Sequence, residues 1–144
     1  MTIRTAEAEW NGSCHSSGHS SGQMRLGSGA YDGPYDFRSR MGDGEGASPE
    51  ELLGAAHAGC FSIALLLELT KAGFPVQRVH TKAKVHFEQR EGEWSIRRID
   101  LETEARVPAL AAAALEGYAR SAKNHCPVSR ALSSVDIHLS INLL

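Results

Sequence analysis

The sequence predicts an α+β protein with largely antiparallel sheets and two central helices, and three stretches carry that prediction. The first is a helix. Ser48 stands at the N-cap position, Pro49 in the first turn and Glu51 three residues after the serine, a pattern in which hydroxyl and carboxylate satisfy N–H groups that have no intrahelical partner. Helix formers continue to Leu69, and Gly73 with Pro75 two residues beyond supplies the stop. The second stretch is Val79, Thr81, Ala83, Val85 and Phe87, alternating with Lys82, Lys84 and His86; the third is Val135, Ile137, Leu139, Ile141 and Leu143 in strict alternation. Both are half-buried strands. Runs of strands between helices indicate an α+β arrangement.

The 144 residues make one domain, 1–144, with enough chain for a core. A formal net charge of −2 argues against a nucleic-acid surface. No basic segment followed by an apolar run opens the chain, so a cytoplasmic protein is expected, without a membrane partner. Three cysteines do not make a disulfide framework and fit reactive or metal-binding roles better. From Ala55 to Leu67 the first helix is apolar almost all round and is expected to be buried on nearly every side. Its unbroken apolar part, closed by Glu68 and Lys71, is expected to be too short for a bilayer, which needs about 20 apolar residues.

The remaining elements follow in order. Thr5 to Trp10 alternates and opens the chain as a strand. Residues 11–22 are small and polar and form a loop that contains Cys14, His15 and His19; ordering it around a metal would cost much chain entropy, so a tolerant loop is the simpler reading. Gln23 to Ser28 returns as a hairpin strand, Tyr31 to Pro34 turns, and Tyr35 to Met41 is read as a short extended run. Residues 42–47 form a glycine-rich, flexible lead-in to the helix, without phosphate-loop spacing. After the strand that ends near Phe87, Arg90 to Glu93 turns the chain into a second long strand, Trp94 to Val107. There Trp94 and Ile96 share one parity while Ile99, Leu101, Thr103, Ala105 and Val107 share the other. Such a flip marks a β-bulge at Arg97-Arg98. Pro108 is read as the start of a second helix to about Lys123, with a narrow face of small residues along Leu110, Ala113 or Ala114, Gly117 and Ser121. A short helical turn after Cys126 is read as far as Leu132. Two apolar helices are much surface for one small sheet to cover, which points to a dimer with helices of both chains between two sheets.

Chemistry centres on Cys60, in the first helix beside His57, and Cys126, which follows His125 and precedes Pro127. The two cysteines are 66 positions apart, so spacing alone leaves three readings open. They are core residues, part of a Cys₂His₂ zinc site with His57 and His125, or a redox dithiol.

Tyr35-Asp36-Phe37-Arg38-Ser39-Arg40, the run Ser48-Pro49-Glu50-Glu51-Leu52-Leu53-Gly54-Ala55-Ala56-His57-Ala58-Gly59-Cys60-Phe61-Ser62 and Cys126-Pro127-Val128-Ser129 resemble the osmotically inducible protein C (OsmC) family. That family stands with the organic hydroperoxide resistance (Ohr) proteins in one superfamily. The resemblance extends over essentially the whole chain, and the wording around Cys60 fits OsmC better than Ohr. It implies an intertwined homodimer and a thiol peroxidase that defends against oxidative or osmotic stress. Its implied partners are an organic hydroperoxide and an external dithiol of lipoyl type, with no metal or organic cofactor. On matching positions, Cys60 is the peroxidatic cysteine, Cys126 the resolving one, Arg40 the catalytic arginine and Glu50 its carboxylate partner, with Arg38 a near alternative to Arg40.

The implied roles have a physical basis. A free thiol with pKa about 8.5 is mostly protonated at neutral pH, and a guanidinium both lowers that value and offers a fork of donors to a peroxide. A bidentate pair with Glu50 would orient Arg40, although a negative charge at a helix N-terminus is reason enough for a glutamate there. Ten residues of regular helix place Glu50 and Cys60 about 15 Å apart along the axis and roughly 80° apart around it. Either Arg40 bridges them or the helix breaks near Gly54 or Gly59. The rival function is a non-catalytic metal- or small-molecule-binding protein that uses Cys60 and Cys126 with His57 and His125. A homologue with inactive cysteines would show a raised Cys60 pKa.

Overall fold

A computed structural model of the chain describes residues 1–13, 20–42 and 44–144. The loop cysteine and histidines, Cys14, His15 and His19, lie outside the described residues. The elements run β1 (Ala6–Asn11), β2 (Ser21–Leu26), β3 (Asp32–Tyr35), α1 (Phe37–Met41), α2 (Pro49–Lys71), β4 (Arg78–Arg90), β5 (Glu93–Arg106), α3 (Ala112–His125), α4 (Pro127–Ala131) and β6 (Asp136–Leu143). This is the α+β order read from the sequence. The chain divides into two compact units, Met1–Leu52 and Leu53–Leu144.

In the first unit β1, β2 and β3 form an antiparallel sheet in that order. Trp10 meets the rings of Tyr35 and Phe37 edge-on, with centroids 5.6 and 5.5 Å away. Gly22 lies under Tyr35 and Trp10, where a Cβ would come within 2.5 Å of the tyrosine ring. Two sequence expectations are corrected here. Residues 32–35 are a strand rather than a turn. Residues 37–41 are a helix rather than an extended run, because Asp36 and Ser39 form a reciprocal cap: Ser39 N–H donates to Asp36 Oδ1 at 2.6 Å and Asp36 N–H to Ser39 Oγ at 2.9 Å. The lead-in to α2 is also tied down. Ala47 N–H donates to the Pro34 carbonyl at 3.0 Å, and Ser39 Oγ donates to the Ala47 carbonyl at 2.8 Å.

In the second unit β4 pairs antiparallel with β5, and β5 pairs parallel with β6. The turn between β4 and β5 is the two-residue type that follows strand twist, with Glu91 and Gly92 both at positive φ (52° and 82°). The register shifts after His86, leaving Arg97 opposite no partner, so the bulge falls where the parity flips. Ile99, Leu101 and Ala105 of β5, Phe61, Leu65 and Leu69 of α2, and Leu115, Ala119 and Ala122 of α3 form one buried core with Cys126. The other face of the sheet carries charges, among them the pairs Lys84–Glu102, Arg78–Glu104 and His86–Asp100.

The helices depart from expectation in four ways. α2 is not buried all round. Among its buried positions His57, Phe61, Leu65 and Leu69 make one stripe, while Ile63, Leu66 and Leu67 are exposed by 60%, 41% and 53%. At 23 residues it is long and apolar enough, by length and composition alone, to cross a membrane; its buried stripe nevertheless belongs to the core of the second unit. α3 begins at Ala112, because Pro108 and Ala109 form a turn in which Ala109 has φ of 65°. Its buried face is Leu115, Ala119 and Ala122, not the small-residue row through Gly117.

Candidate active site

The second unit brings Cys60 and Cys126 together. Cys60 lies on the flank of α2's buried stripe, one turn after His57, and is partly accessible; Cys126 is fully buried between α3 and α4. Both are free thiols, and they are near enough that each shifts the other's titration. Cys60 opens into a cavity of about 550 Å³ whose lining includes Ile63, Ala64, Leu67, His125 and Pro127.

The surroundings divide the two sulfurs electrostatically. Burial pushes the Cys60 thiol up, only partly offset by the Val128 N–H, and the neighbouring Cys126 sulfur raises it further. Burial acts on Cys126 in the same direction, yet its value falls below the ordinary thiol range. The N–H groups of Ser129 and Val128, the Ser129 hydroxyl and the Cys60 thiol together outweigh desolvation. Cys126 is the N-cap residue of α4, and its side chain makes no cap hydrogen bond. Two interacting thiols titrate as a pair.

His57 does not turn to the thiols. Its fully buried ring places Nε2 2.8 Å from Ser129 Oγ, and desolvation lowers its pKa. His125 is exposed, with Nδ1 3.3 Å from Ser121 Oγ and 3.6 Å from Glu68 Oε1. Among the described residues no three of His, Cys, Asp and Glu gather as a metal would require. Ser129, and its link to His57, is what the sequence reading passed over; the signal was its place three residues after Cys126 in Cys-Pro-Val-Ser.

The first unit brings Arg40 and Glu50 together. Arg40 Nε and Nη2 donate to Glu50 Oε1 at 2.9 and 2.7 Å. Both donors converge on one oxygen, so the expected two-oxygen fork is not formed; Glu50 Oε2 is buried without a partner among the described residues. Glu50 is 8% exposed, and a buried carboxylate needs such a cation. Arg40 also lines a cavity of about 360 Å³ with Trp10, Tyr35, Phe37 and Pro49. The break considered near Gly54 or Gly59 does not occur, since α2 runs unbroken from Pro49 to Lys71.

The family model of the OsmC-like proteins matches residues 42–140. The chain belongs to the OsmC-like family. Peroxiredoxin OsmC of Escherichia coli K12 is 38% identical over 136 residues, covering 93% of each chain. An OsmC-like protein of unknown function from Vibrio cholerae superposes with a TM-score of 0.78 at 15% identity, covering 99% of this chain and 100% of the other. An organic hydroperoxide resistance protein from Elizabethkingia anophelis, with thiocyanate bound, gives 0.76 at 22% identity and 99% coverage of both. At these identities the two structures speak for the fold. Within this OsmC-like chain the family match encloses Glu50, His57, Cys60, Cys126 and Ser129, while Arg40 lies two residues ahead of it.

Proposed function

We propose that this OsmC-like chain is a thiol-dependent peroxidase that reduces organic hydroperoxides to alcohols, working as a homodimer. The relative named a peroxiredoxin supports a peroxidase-type enzyme. The observation that carries the finer reading is the contact between a partly accessible thiol, Cys60, and a fully buried one, Cys126. The accessible sulfur is the one placed to meet a substrate, which supports attack by Cys60 and a resolving role for Cys126. Cys60 thiolate attacks a peroxide oxygen, the O–O bond breaks and the alkoxide leaves as alcohol after taking a proton. The Cys60 sulfenic acid then condenses with Cys126, releasing water and leaving a disulfide. An external dithiol, of lipoyl type by family resemblance, reduces that disulfide, and no metal or organic cofactor takes part. Arg40 is the proposed cation that serves the peroxide, with Glu50 fixing its direction; their ion pair and the family resemblance support these roles.

A raised Cys60 value does not make the pair inert in this reading. The two neighbouring thiols titrate as a pair, and the pair's charge reaches Cys60 by proton exchange between the sulfurs.

One equivalent of an alkyl hydroperoxide should convert the reduced protein to an intrachain Cys60–Cys126 disulfide, located by peptide mapping. Cys60→Ser should abolish peroxide consumption. Cys126→Ser should still form a Cys60 sulfenic acid that dimedone traps. A dominant bridge through Cys14 would sink the assignment, and equal loss of the first step in both variants would point to a shared metal site instead.

A further inference from the structure

The peroxidase steps leave one buried hydrogen bond without a role. His57 Nε2 lies 2.8 Å from Ser129 Oγ, both residues are buried, and His57 Nδ1 has no hydrogen-bond partner among the described residues. The contact joins α2 to α4, and breaking it would leave two buried polar groups unpaired. The two residues stand in matching places. His57 precedes Cys60 by three positions on α2, and Ser129 follows the N-cap residue Cys126 by three in the first turn of α4, where Arg130 N–H donates to the Cys126 carbonyl at 3.0 Å. Residues three apart on a helix are neighbours on one face. From His57 to Cys60 the chain runs forward; from Ser129 to Cys126 it runs back. The two helices therefore meet in antiparallel register, with His57–Ser129 as one rung and Cys60–Cys126 as the next, about 4.5 Å along the axis. Core packing agrees, since Cys60 packs against the buried cluster to which Cys126 belongs. The two helices are held unequally. α2 has 23 residues, places Phe61, Leu65 and Leu69 in the core, and is tied to the sheet by Ser62 Oγ, which donates to Thr81 Oγ1 at 2.8 Å. α4 has five residues, of which Ser129 alone is buried. A helix that short has little stability of its own, so the contact of Ser129 weighs heavily in where α4, and Cys126 ahead of it, is held.

We propose that His57 is a positioning residue whose hydrogen bond to Ser129 clamps α4 onto α2 and so holds Cys126 in register with Cys60 for disulfide formation. This deepens the peroxidase reading and rests on it for the roles of the two sulfurs. In the resolving step the Cys126 sulfur bonds the Cys60 sulfur, the S–O bond of the sulfenic acid breaks, and hydroxide leaves with the Cys126 proton as water. The clamp takes no part in that chemistry. It raises the effective concentration of one sulfur at the other by removing arrangements in which α4 stands away from α2.

The test uses a Cys14→Ser chain, whose remaining cysteines are Cys60 and Cys126, equilibrated with reduced and oxidised dithiothreitol and without peroxide. Each Cys60–Cys126 disulfide formed oxidises two thiols and reduces one dithiothreitol disulfide. Acid quenching, alkylation and mass analysis count the reduced and oxidised chains. Ser129→Ala and His57→Leu should each shift the equilibrium toward the dithiol by about tenfold, equal to about 30 mV for this two-electron couple. The double variant should shift it no further, since both changes remove the same contact. Ser129→Thr, which keeps the hydroxyl, and His57→Gln, which keeps a polar group near the Nε2 position, should stay near the unaltered equilibrium. With one equivalent of alkyl hydroperoxide, the Cys60 sulfenic acid should persist about tenfold longer in Ser129→Ala, as read by dimedone trapping. An equilibrium unmoved in a folded Ser129→Ala chain overturns the proposal. So does an equal shift in Ser129→Ala and Ser129→Thr, which would mark an effect of packing alone. If His57→Leu fails to fold, the two Ser129 variants decide. The peroxidase reading fails separately, by absence of peroxide consumption in the unaltered chain, and that result would leave the dithiothreitol equilibrium standing.

Discussion

Met1–Leu52 and Leu53–Leu144 both contain a three-stranded sheet and helix, but they are held together differently. Every buried hydrophobic side chain among the described residues belongs to the second unit; the buried side chains of the first are the polar Ser39 and Glu50. Its apolar groups, Leu26, Phe37 and Met41, stay substantially exposed. Hydrophobic burial is the main favourable term in folding, so the second unit has a core of its own while the first relies on strand pairing, the aromatic contacts of Trp10 and the Arg40–Glu50 ion pair. The second unit is not self-sufficient either, because α2 presents Ile63, Leu66 and Leu67 outward.

The largest expected effect follows from that shortfall. In the proposed homodimer a second copy covers the outward side of α2, and an interface of the obligate kind would exceed about 2,000 Å². Dissociation should then coincide with unfolding, and the thermal midpoint should rise with protein concentration. Leu67→Lys, which places a charge on that side, should abolish assembly and sharply lower the midpoint. Sedimentation showing a folded 15.5 kDa monomer at micromolar concentration would refute the dimer and leave the exposed leucines unexplained.

A smaller effect, confined to activity, is expected at the first unit's polar pair. On α1, Arg38 and Arg40 differ by roughly 200° around the axis, so the shared direction that an extended run would give them is lost. The geometry favours Arg40, whose guanidinium meets Glu50. Arg40→Lys keeps the charge but loses the planar fork and should lower kcat/KM for an alkyl hydroperoxide by about tenfold or more. Arg38→Lys should stay within about twofold. A normal Arg40→Lys enzyme beside an inactive Arg38→Lys one would transfer the role.

The same contrast explains what the sequence made legible. Strand alternation in β4, β5 and β6 was readable because one face is buried and the other charged, and the bulge at Arg97 announced itself as a parity flip. α1 was not readable, since a five-residue helix set by the Asp36–Ser39 cap has no period to display. The orientation of α2 was hidden by its uniformity: with apolar residues all round, composition cannot say which stripe faces the core. Pro108 has the right chemistry for a first helical turn, but the positive φ of Ala109 delays α3 to Ala112. At the site, motif resemblance singled out Cys60 and Cys126. The His57–Ser129 hydrogen bond joins residues 72 apart, and no local pattern encodes such a contact.

The smallest effect expected separates the buried and exposed titrating groups of the second unit by their pH windows. His57 has its pKa lowered from 6.5 by desolvation. Below 6.5 the unfolded chain takes up a proton that the folded chain refuses, so stability falls as pH drops through that region. Asp100 is lowered from 3.8 to about 2, first by its hydrogen bond from Arg98 and then by that from His86. Its contribution is fully present above 3.8 and is lost as pH falls from there to about 2. Both groups therefore weaken the fold in acid, but in separate steps. In denaturant titrations across pH, His57→Gln should flatten the decline just below 6.5 and leave the lower step intact. Asp100→Asn should do the reverse, with a smaller change because the carboxylate lies on the solvent face of the sheet. Identical profiles for His57→Gln and the unaltered chain would mean that His57 takes up its proton as readily in the fold as in the unfolded chain, which would contradict its buried, desolvated setting.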